Sequence, residues 1–213
     1  MTNEEVVTLL DTPYIHVYDL QYAEGKHYYN ASRREKSHLI CLKNEEAFRE
    51  ATPDAVTCFV IILVRGEEPK LLLNREYRYP TGQFLVSPPA GIIDPEDTAF
   101  PVPALSAARR EIVEETGITL ESSDTLSLVH PMVFSSPGMT DESNALACAV
   151  IRRDSKPEIF QTGAVGTELF DGYQLYSRAE AMKLVKDGRD GHGITYSLYT
   201  FAALMWFLSD LWE

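Results

Sequence analysis

The first fifty residues alternate apolar and polar positions over short stretches, a period of two that is typical of strands with one exposed face. Between Tyr14 and Leu42 the alternation recurs in the segments IHVY and HLICL, and Gly25 lies between the first two segments. Residues 3–10 are compatible with one short helix. We therefore predict a small N-terminal domain of antiparallel strands, residues 1–50.

Longer elements follow Pro53, with strands and helices mixed along the remaining chain. The run from Val56 to Val64 is apolar and β-branched, as in a buried strand. Further strands are predicted at 70–79, 125–133 and 144–151, and helices at 104–116, 178–186 and 196–211. Because these elements do not alternate as regular βαβ units, they favour an α/β (α+β) sandwich with a mixed sheet over residues 51–213.

The balance of charge restricts the possible partners. The chain carries 19 basic and 32 acidic residues, which gives a formal net charge of −13. Such a protein is a poor partner for nucleic acid, because phosphate backbones bind basic surfaces. Its field would also repel a small anionic substrate. Divalent cations held by carboxylates would reverse the charge locally.

The cysteines and the two ends of the sequence bear on its location. Cys41, Cys58 and Cys148 lie in apolar, strand-like stretches, as core residues of a protein in a reducing compartment do. Residues 3–5 (NEE) replace the basic start of a signal peptide. The uncharged run Ile194–Leu208 is too short for a membrane span and predicts a buried helix. These features predict a cytoplasmic protein without a membrane role.

Three glutamates cluster on the helix predicted at 104–116. Glu111 and Glu115 are four residues apart and share a helix face, and Glu114 flanks the same side. Like charges at this spacing repel each other, whereas hard divalent cations with oxygen ligands would remove the repulsion. The alternative is a solvated acidic face on which Arg110 pairs with Glu114.

The residues around this cluster resemble the Nudix hydrolase family. Residues 110–118 (REIVEETGI) match the second half of the family's box at every specified position, and Gly91 matches its opening glycine. The chain departs from the pattern by five extra residues between Gly91 and Glu111. The acid that the family carries in this loop is either Glu96 or Asp97.

The resemblance implies a metal site and a reaction. Glu111, Glu114 and Glu115, with the backbone carbonyl of Ala90, would hold two or three Mg²⁺ ions, and Mn²⁺ is a possible substitute. In the family such ions neutralise the pyrophosphate oxygens and lower the pKa of the attacking water. Arg110 and Glu115 are accordingly expected to be catalytic residues.

Segments outside the box resemble the ADP-ribose and ADP-sugar pyrophosphatase branch. That branch has an N-terminal strand domain, a strand ending similar to residues 76–78 (EYR), and a loop similar to residues 136–142 (SPGMTDE). The resemblance implies hydrolysis of a nucleoside diphosphate sugar, with ADP-ribose giving AMP and ribose 5-phosphate. It also implies a homodimer, with residues 1–50 contributing to dimerisation and substrate contact.

The same resemblance gives roles to residues outside the box. Glu142 is a candidate to orient or deprotonate the attacking water, and Tyr77, Arg78, Arg33 and Arg34 are candidates for binding the substrate. Each of these residues could instead be an exposed or loop residue without a role in the reaction. Two other functions stay open, namely hydrolysis of another nucleotide, such as a UDP- or GDP-sugar or a dinucleotide, and an inactive module that senses nucleotide sugars.

Overall fold

The computed structural model describes residues 1–161 and 168–213. The chain divides into two compact units. The first comprises Met1–Asp54 and Met132–Asn144, and the second comprises Ala55–Pro131 and Ala145–Glu213. The N-terminal region thus extends slightly beyond the predicted limit at residue 50, and a segment from the middle of the chain joins it.

The first unit contains a three-stranded antiparallel sheet, as the alternating pattern predicted. Its strands are β1 (Val6–Asp11), β2 (His16–Ala23) and β3 (Lys26–Ser32), in that order. The predicted helix at 3–10 is wrong, because only Asn3–Glu5 form a 3₁₀ turn before β1 begins. The β-branched residues at 6–8 favour the strand, which pairs with β2.

The end of this unit differs more from the sequence prediction. The alternating segment HLICL is not a strand but lies in two 3₁₀ turns, Lys36–His38 and Ile40–Leu42. Leu39, between the turns, is fully buried in the small core of this unit. The apolar residues of this segment therefore contribute to the core without pairing as a β-strand. The charged connection after it forms the short helix α1 (Glu45–Arg49), whose first turn is capped by the Asn44 side chain.

The larger sheet has five strands in its main path, in the order β10-β5-β4-β9-β8, with β6 paired to β5 and β7 paired to β4. The bounds of these strands are β4 (Ala55–Val64), β5 (Lys70–Arg78), β6 (Gln83–Ser87), β7 (Ala90–Ile92), β8 (Thr125–Phe134), β9 (Ser143–Arg153) and β10 (Phe170–Tyr176). Backbone hydrogen bonds from Asp54 to Ser143 and from Arg65 to Arg153 advance in the same direction along β4 and β9. This parallel pair beside antiparallel neighbours confirms the predicted mixed sheet.

Helices cover the sheet and complete the predicted sandwich. They are α2 (Pro103–Thr116), α3 (Arg178–Asp187) and α4 (Leu198–Ser209). Alternate residues of β4, among them Val60 and Ile62, form one core cluster with Ala107 and Ile112 of α2. The intervening β4 residue Phe59 is also buried, α4 contacts β4 and β6, and α3 contacts β10. A strand buried on both faces explains the continuous apolar run from Val56 to Val64.

The uncharged C-terminal run forms α4, as predicted, with slightly narrower limits. Thr200 within it is buried and donates its hydroxyl to the carbonyl of Val86, at 2.7 Å. Among the helices of the described residues, none is long and apolar enough to cross a membrane. Cys58 and Cys148 are buried free thiols, and Cys41 is partly buried.

Candidate active site

Helix α2 places the glutamates of the box in different environments. The helix begins with Pro103 at its first position and ends at Gly117, which adopts the left-handed conformation (φ 72°) that favours glycine. Glu111 and Glu115 are only 6% and 5% exposed, whereas 39% of the Glu114 side chain is exposed. A solvated acidic face therefore describes Glu114 alone.

Glu115 has neutral hydrogen-bond partners. Its Oε1 accepts from the backbone N–H of Ala90 at 3.0 Å, and its Oε2 accepts from the side-chain amide of Asn74. In the described part of the chain, no basic side chain forms an ion pair with it. A buried carboxylate without a counter-charge is costly, because neutral donors replace only part of its hydration.

Arg110 joins the helix to the preceding loop. Its guanidinium lies 2.6 Å from Glu111 Oε1 and 3.2 Å from Glu114 Oε2 on the helix. On the loop side it lies 3.0 Å from Asp94 Oδ2 and 3.3 Å from Asp97 Oδ2, and it donates to the carbonyl of Ile92 at 2.9 Å. A planar guanidinium has five N–H donors, so it can bind the helix and the loop at the same time. Arg110 is therefore placed to position two box glutamates.

The absence of a side chain at position 91 lets the loop approach Glu111 of α2 closely. A Cβ added to Gly91 would lie 1.8 Å from Glu111 Oε1, so the carboxylate of Glu111 would have to move. The glycine also lies in β7, where it pairs with Val56. The opening glycine of the box thus allows the strand to pass directly over a carboxylate of the helix.

The loop that carries the five extra residues contains one buried acid and one exposed acid. Pro95–Ala99 form a 3₁₀ turn in which Asp97 accepts from the backbone N–H of Asp94, at 3.0 Å. Asp97 is 4% exposed and contacts Arg110, whereas Glu96 is exposed. Burial alone would raise the pKa of Asp97, but its hydrogen bonds, including those from Ser106 and Arg110, outweigh burial and lower it. Of the two candidates, Asp97 is the acid that supports the loop.

Two glutamates that were not singled out from the sequence belong to the same electrostatic environment. Burial raises the pKa of Glu115 well above its ordinary value, and the charges of Glu76, Glu111 and Glu168 raise it further. Burial likewise raises the pKa of Glu111 to about 7, although Arg110 opposes the shift. For Glu76, burial is again the main cause of a raised pKa. Alternation on β5 places Glu76 on the face of Asn74, and that period of two was the available sequence signal.

Glu115 offers the kind of ligand that a divalent cation binds. Burial is the main cause of the raised pKa values, and of the three carboxylates only Glu115 has no ion-pair partner among the described residues. Oxygen ligands from such groups are those that Mg²⁺ prefers. Among the described residues, however, no three His, Cys, Asp or Glu side chains converge as a ready-made metal site, and Arg110 contacts Glu111 and Glu114 directly. The ligand set predicted from the box stays a prediction, as does the role of the Ala90 carbonyl.

The two candidates at the end of β5 are held by local contacts. Tyr77 packs edge-on against Tyr79 and Phe84, with ring centroids 5.0 and 5.2 Å away. The Arg78 guanidinium pairs with Glu76 Oε2 at 2.7 Å and stays 45% exposed. Arg78 is therefore linked to the buried carboxylates through Glu76, while keeping donors available at the surface.

Three further candidates lie together in the first unit. The Arg33 Nε donates to Glu142 Oε1 at 2.9 Å, and both side chains are partly exposed. Arg34 is instead largely buried, with 10% of its side chain exposed. It pairs with Asp54 at 2.9 Å and donates to the carbonyl of Asp141 at 2.7 Å. Arg34 thus holds the loop that ends at Glu142 and has no free guanidinium face like that of Arg33.

The fold and this helix–loop arrangement define a Nudix-type sandwich. A sequence model of the NUDIX domain matches residues 53–198, which is more than half of the chain. The protein therefore belongs to the Nudix family, and the resemblance found in the box is confirmed.

Individual relatives match over shorter segments. An uncharacterized Nudix hydrolase of Schizosaccharomyces pombe is 32% identical over 109 residues, which cover 51% of this chain and 48% of that protein. The chloroplastic Nudix hydrolase 14 of Arabidopsis thaliana is 33% identical over 91 residues, covering 39% and 28%. The chain thus matches less than half the length of either relative.

One solved structure extends the likeness over the whole fold. The crystal structure of an ADP compounds hydrolase superposes with a TM-score of 0.52 over 97% of this chain and 90% of that chain. The two sequences are 18% identical. At that identity the likeness concerns the fold, including the N-terminal strands.

Proposed function

We propose that the protein hydrolyses the pyrophosphate bond of a nucleoside diphosphate sugar, with ADP-ribose as the leading substrate and Mg²⁺ (or Mn²⁺) as the cofactor. The observation that carries this proposal is the buried Glu115, which has a box glutamate beside it and neutral hydrogen-bond partners. Burial disfavours the charged form of this carboxylate, and a bound cation would stabilise that form. A pyrophosphate group brought by a substrate would need the same cation to approach an acidic protein.

The proposed roles of the residues follow from their contacts. Glu111, Glu114 and Glu115, with the Ala90 carbonyl, would hold the ions, which when bound neutralise the pyrophosphate and acidify water. Arg110 would keep Glu111 and Glu114 in position from the loop side. Asn74 would orient Glu115 from the adjacent strand.

Each unit carries residues that the family resemblance assigns to substrate binding. Tyr77 and Arg78 combine an aromatic group with a partly exposed guanidinium, which suits a base and a phosphate. Arg33 would bind phosphate or position Glu142, the candidate that orients or deprotonates the attacking water. Arg34, predicted to bind the substrate, would act through the loop that it holds.

A homodimer would account for the surface of the N-terminal sheet. Several large apolar side chains on its strands are exposed: Val7, Leu9, Leu10, Tyr22, Tyr28 and Tyr29. Exposed large apolar side chains, where they adjoin one another, commonly mark an interaction site. We propose that residues 1–50 contribute to dimerisation and to substrate contact.

A hydrolysis screen tests the function. Purified protein is incubated with ADP-ribose, UDP-glucose, GDP-mannose, a dinucleoside polyphosphate and ATP, each with Mg²⁺, Mn²⁺ or excess chelator. We expect kcat/KM to be highest for ADP-ribose, with AMP and ribose 5-phosphate as products, and activity to vanish in chelator. Full activity in chelator would contradict the metal assignment. A preference for ATP would contradict the substrate class, and saturable binding of ADP-ribose without turnover would favour a sensing module.

A further inference from the structure

Asn74 places a polar side chain in an apolar part of the second unit. It is 1% exposed and lies on β5 between β6 and β10, where it pairs with Ser87 and Tyr173. Leu72, on the same face of the strand, belongs to the core cluster that includes Ile112 of α2. An amide buried at such a position costs free energy unless its donors and its acceptor have partners.

Two side chains define the orientation of the Asn74 amide. Its Nδ2 donates to Glu115 Oε2, and its Oδ1 accepts from Gln161 Nε2 at 3.1 Å. A half-turn of the amide would place Oδ1 against the ionised carboxylate, which offers acceptors only, and Nδ2 against the donor of Gln161. Both contacts therefore oppose the half-turn, and Gln161 supplies one of them.

The backbone beside Gln161 is attached to the helix that carries Glu115. The preceding residue, Phe160, donates its N–H to the carbonyl of Thr116 at 2.9 Å, and Gln161 itself is half-buried. The hydrogen bonds and the intervening backbone thus form a closed circuit. It runs from the Glu115 side chain through Asn74 and Gln161 to Phe160, and returns to the helix at Thr116.

This circuit holds one oxygen of the Glu115 carboxylate, and β7 holds the other. Oε2 accepts from Asn74, and Oε1 accepts from the backbone N–H of Ala90 at 3.0 Å. An ionised carboxylate has roughly four acceptor positions, so both oxygens keep room for a cation. Hydrogen bonds to a ligating carboxylate orient it, and removing such a partner typically costs about 10- to 100-fold in metal affinity or activity.

We propose that Gln161 is a positioning residue, which acts through the Asn74 amide to hold the Glu115 carboxylate in the orientation that binds a divalent cation. In this role Gln161 contacts neither the ion nor the substrate. The inference rests on the metal assignment in the proposed function, because it takes Glu115 as a ligand of the cation. It adds to that function a residue outside the Nudix box.

The test measures Mn²⁺ binding without substrate, by electron paramagnetic resonance of the free ion. Glu115→Gln identifies the binding that depends on this carboxylate. Gln161→Met keeps an unbranched side chain of similar length but lacks the N–H donor. We expect it to raise the Kd of the Glu115-dependent Mn²⁺ about 10-fold. Gln174→Met, the same change at an exposed position of β10, is the matched control and should bind Mn²⁺ like the wild type.

Hydrolysis of ADP-ribose gives a second measurement on the same variants. In Gln161→Met, the Mg²⁺ concentration for half-maximal activity should rise about as much as the Kd for Mn²⁺. The KM for ADP-ribose at saturating Mg²⁺ should stay near that of the wild type. If Gln161 served packing alone, its loss would lower the melting temperature and leave this dependence on the ion unchanged.

A double-variant cycle tests whether Gln161 acts through Asn74. Asn74→Leu keeps a similar volume and removes the amide, and it should raise the Kd for Mn²⁺ at least as much as Gln161→Met. In the Asn74→Leu background, Gln161→Met should add little, because the group through which it acts is gone. A full additional loss would show that Gln161 acts by another route, and it would contradict the proposal.

NMR of the Asn74 side-chain NH₂ gives the same answer if Asn74→Leu does not fold. Its signals should shift, and exchange faster with water, in Gln161→Met than in the wild type. Unchanged signals would contradict the proposed hold on the amide.

The outcomes separate this inference from the proposed function. Wild-type Mn²⁺ affinity in Gln161→Met would overturn the inference, whereas hydrolysis by the wild-type protein would stand. The absence of saturable, Glu115-dependent Mn²⁺ binding in the wild type would also overturn it. Mn²⁺ binding that Gln161→Met weakens, in a protein that hydrolyses none of the nucleotides in the screen, would support the inference and contradict the proposed function.

Discussion

Glu115 on α2 and Glu142 in the first unit are both candidate catalytic carboxylates, but their surroundings differ. Glu115 is 5% exposed and is held by the Ala90 N–H and the Asn74 amide. The Glu142 side chain is 30% exposed and pairs with Arg33 at 2.9 Å. The protein already compensates the charge of Glu142, whereas it stabilises Glu115 through neutral donors only. The family resemblance singles out both residues, but only Glu142 has a basic side chain that compensates its charge.

The largest effect should come from removing the uncompensated charge. Glu115→Gln preserves size and the acceptor for the Ala90 N–H but removes the charge that a divalent cation needs. We expect kcat to fall on the order of 10²-fold or more, comparable to losing a major electrostatic contribution. Steady-state kinetics with ADP-ribose, repeated over a range of Mg²⁺ concentrations, measure this fall in kcat. Glu67→Gln, in the exposed turn after β4, is the control, and near wild-type turnover in Glu115→Gln would refute the metal role.

The sequence predicted the parts of this site that depend on short-range spacing. The i,i+4 relation of Glu111 and Glu115 and the stop at Gly117 follow from helix geometry, and the structure has both. The four-carboxylate contacts of Arg110 could not be foreseen in the same way. They depend on a loop whose length departs from the family pattern, so spacing alone does not distinguish Glu96 from Asp97.

Two of the strands that were missed depend on pairing with distant residues. The strand β7 is three residues long and pairs with β4, more than thirty positions earlier, so it has no periodic signal of its own. The strand β10 is largely exposed and carries Gly172, and its partner β5 is still more distant along the chain. Glu76 and Glu168 come near Glu115 only through that sheet. Local periodicity carries no information about such contacts.

A second, smaller effect is expected on stability when the contacts between Arg34 and the loop that carries Glu142 are removed. Arg34→Lys keeps the positive charge near Asp54 but loses the simultaneous contacts to Asp141, Thr52 and Ser143. We expect the free energy of unfolding to fall by about 2 kcal/mol, the size of a lost charged hydrogen bond in a buried site. Urea denaturation measures it. The same change at Arg49, whose pair with Glu45 is exposed, should have almost no effect.

The smallest effect tests Glu142 itself. Because its pair with Arg33 is partly exposed, neither Glu142→Gln nor Arg33→Gln should change the melting temperature appreciably. If Glu142 orients or deprotonates the attacking water, Glu142→Gln should lower kcat about 10-fold while KM and the Mg²⁺ dependence stay near wild type. Arg33→Gln should lower kcat less, because it leaves the carboxylate present but unpositioned.

The double variant separates a shared role from two independent ones. When two residues act as one unit, removing the second adds little once the first is gone. We therefore expect the Arg33→Gln/Glu142→Gln protein to have the kcat of Glu142→Gln alone. Multiplied losses would mean that Arg33 binds the substrate directly, as the sequence first indicated. Wild-type kcat in Glu142→Gln would show that the loop acid takes no part in the reaction. A carboxylate of the second unit would then have to activate the water, and Glu168 would be the next residue to substitute.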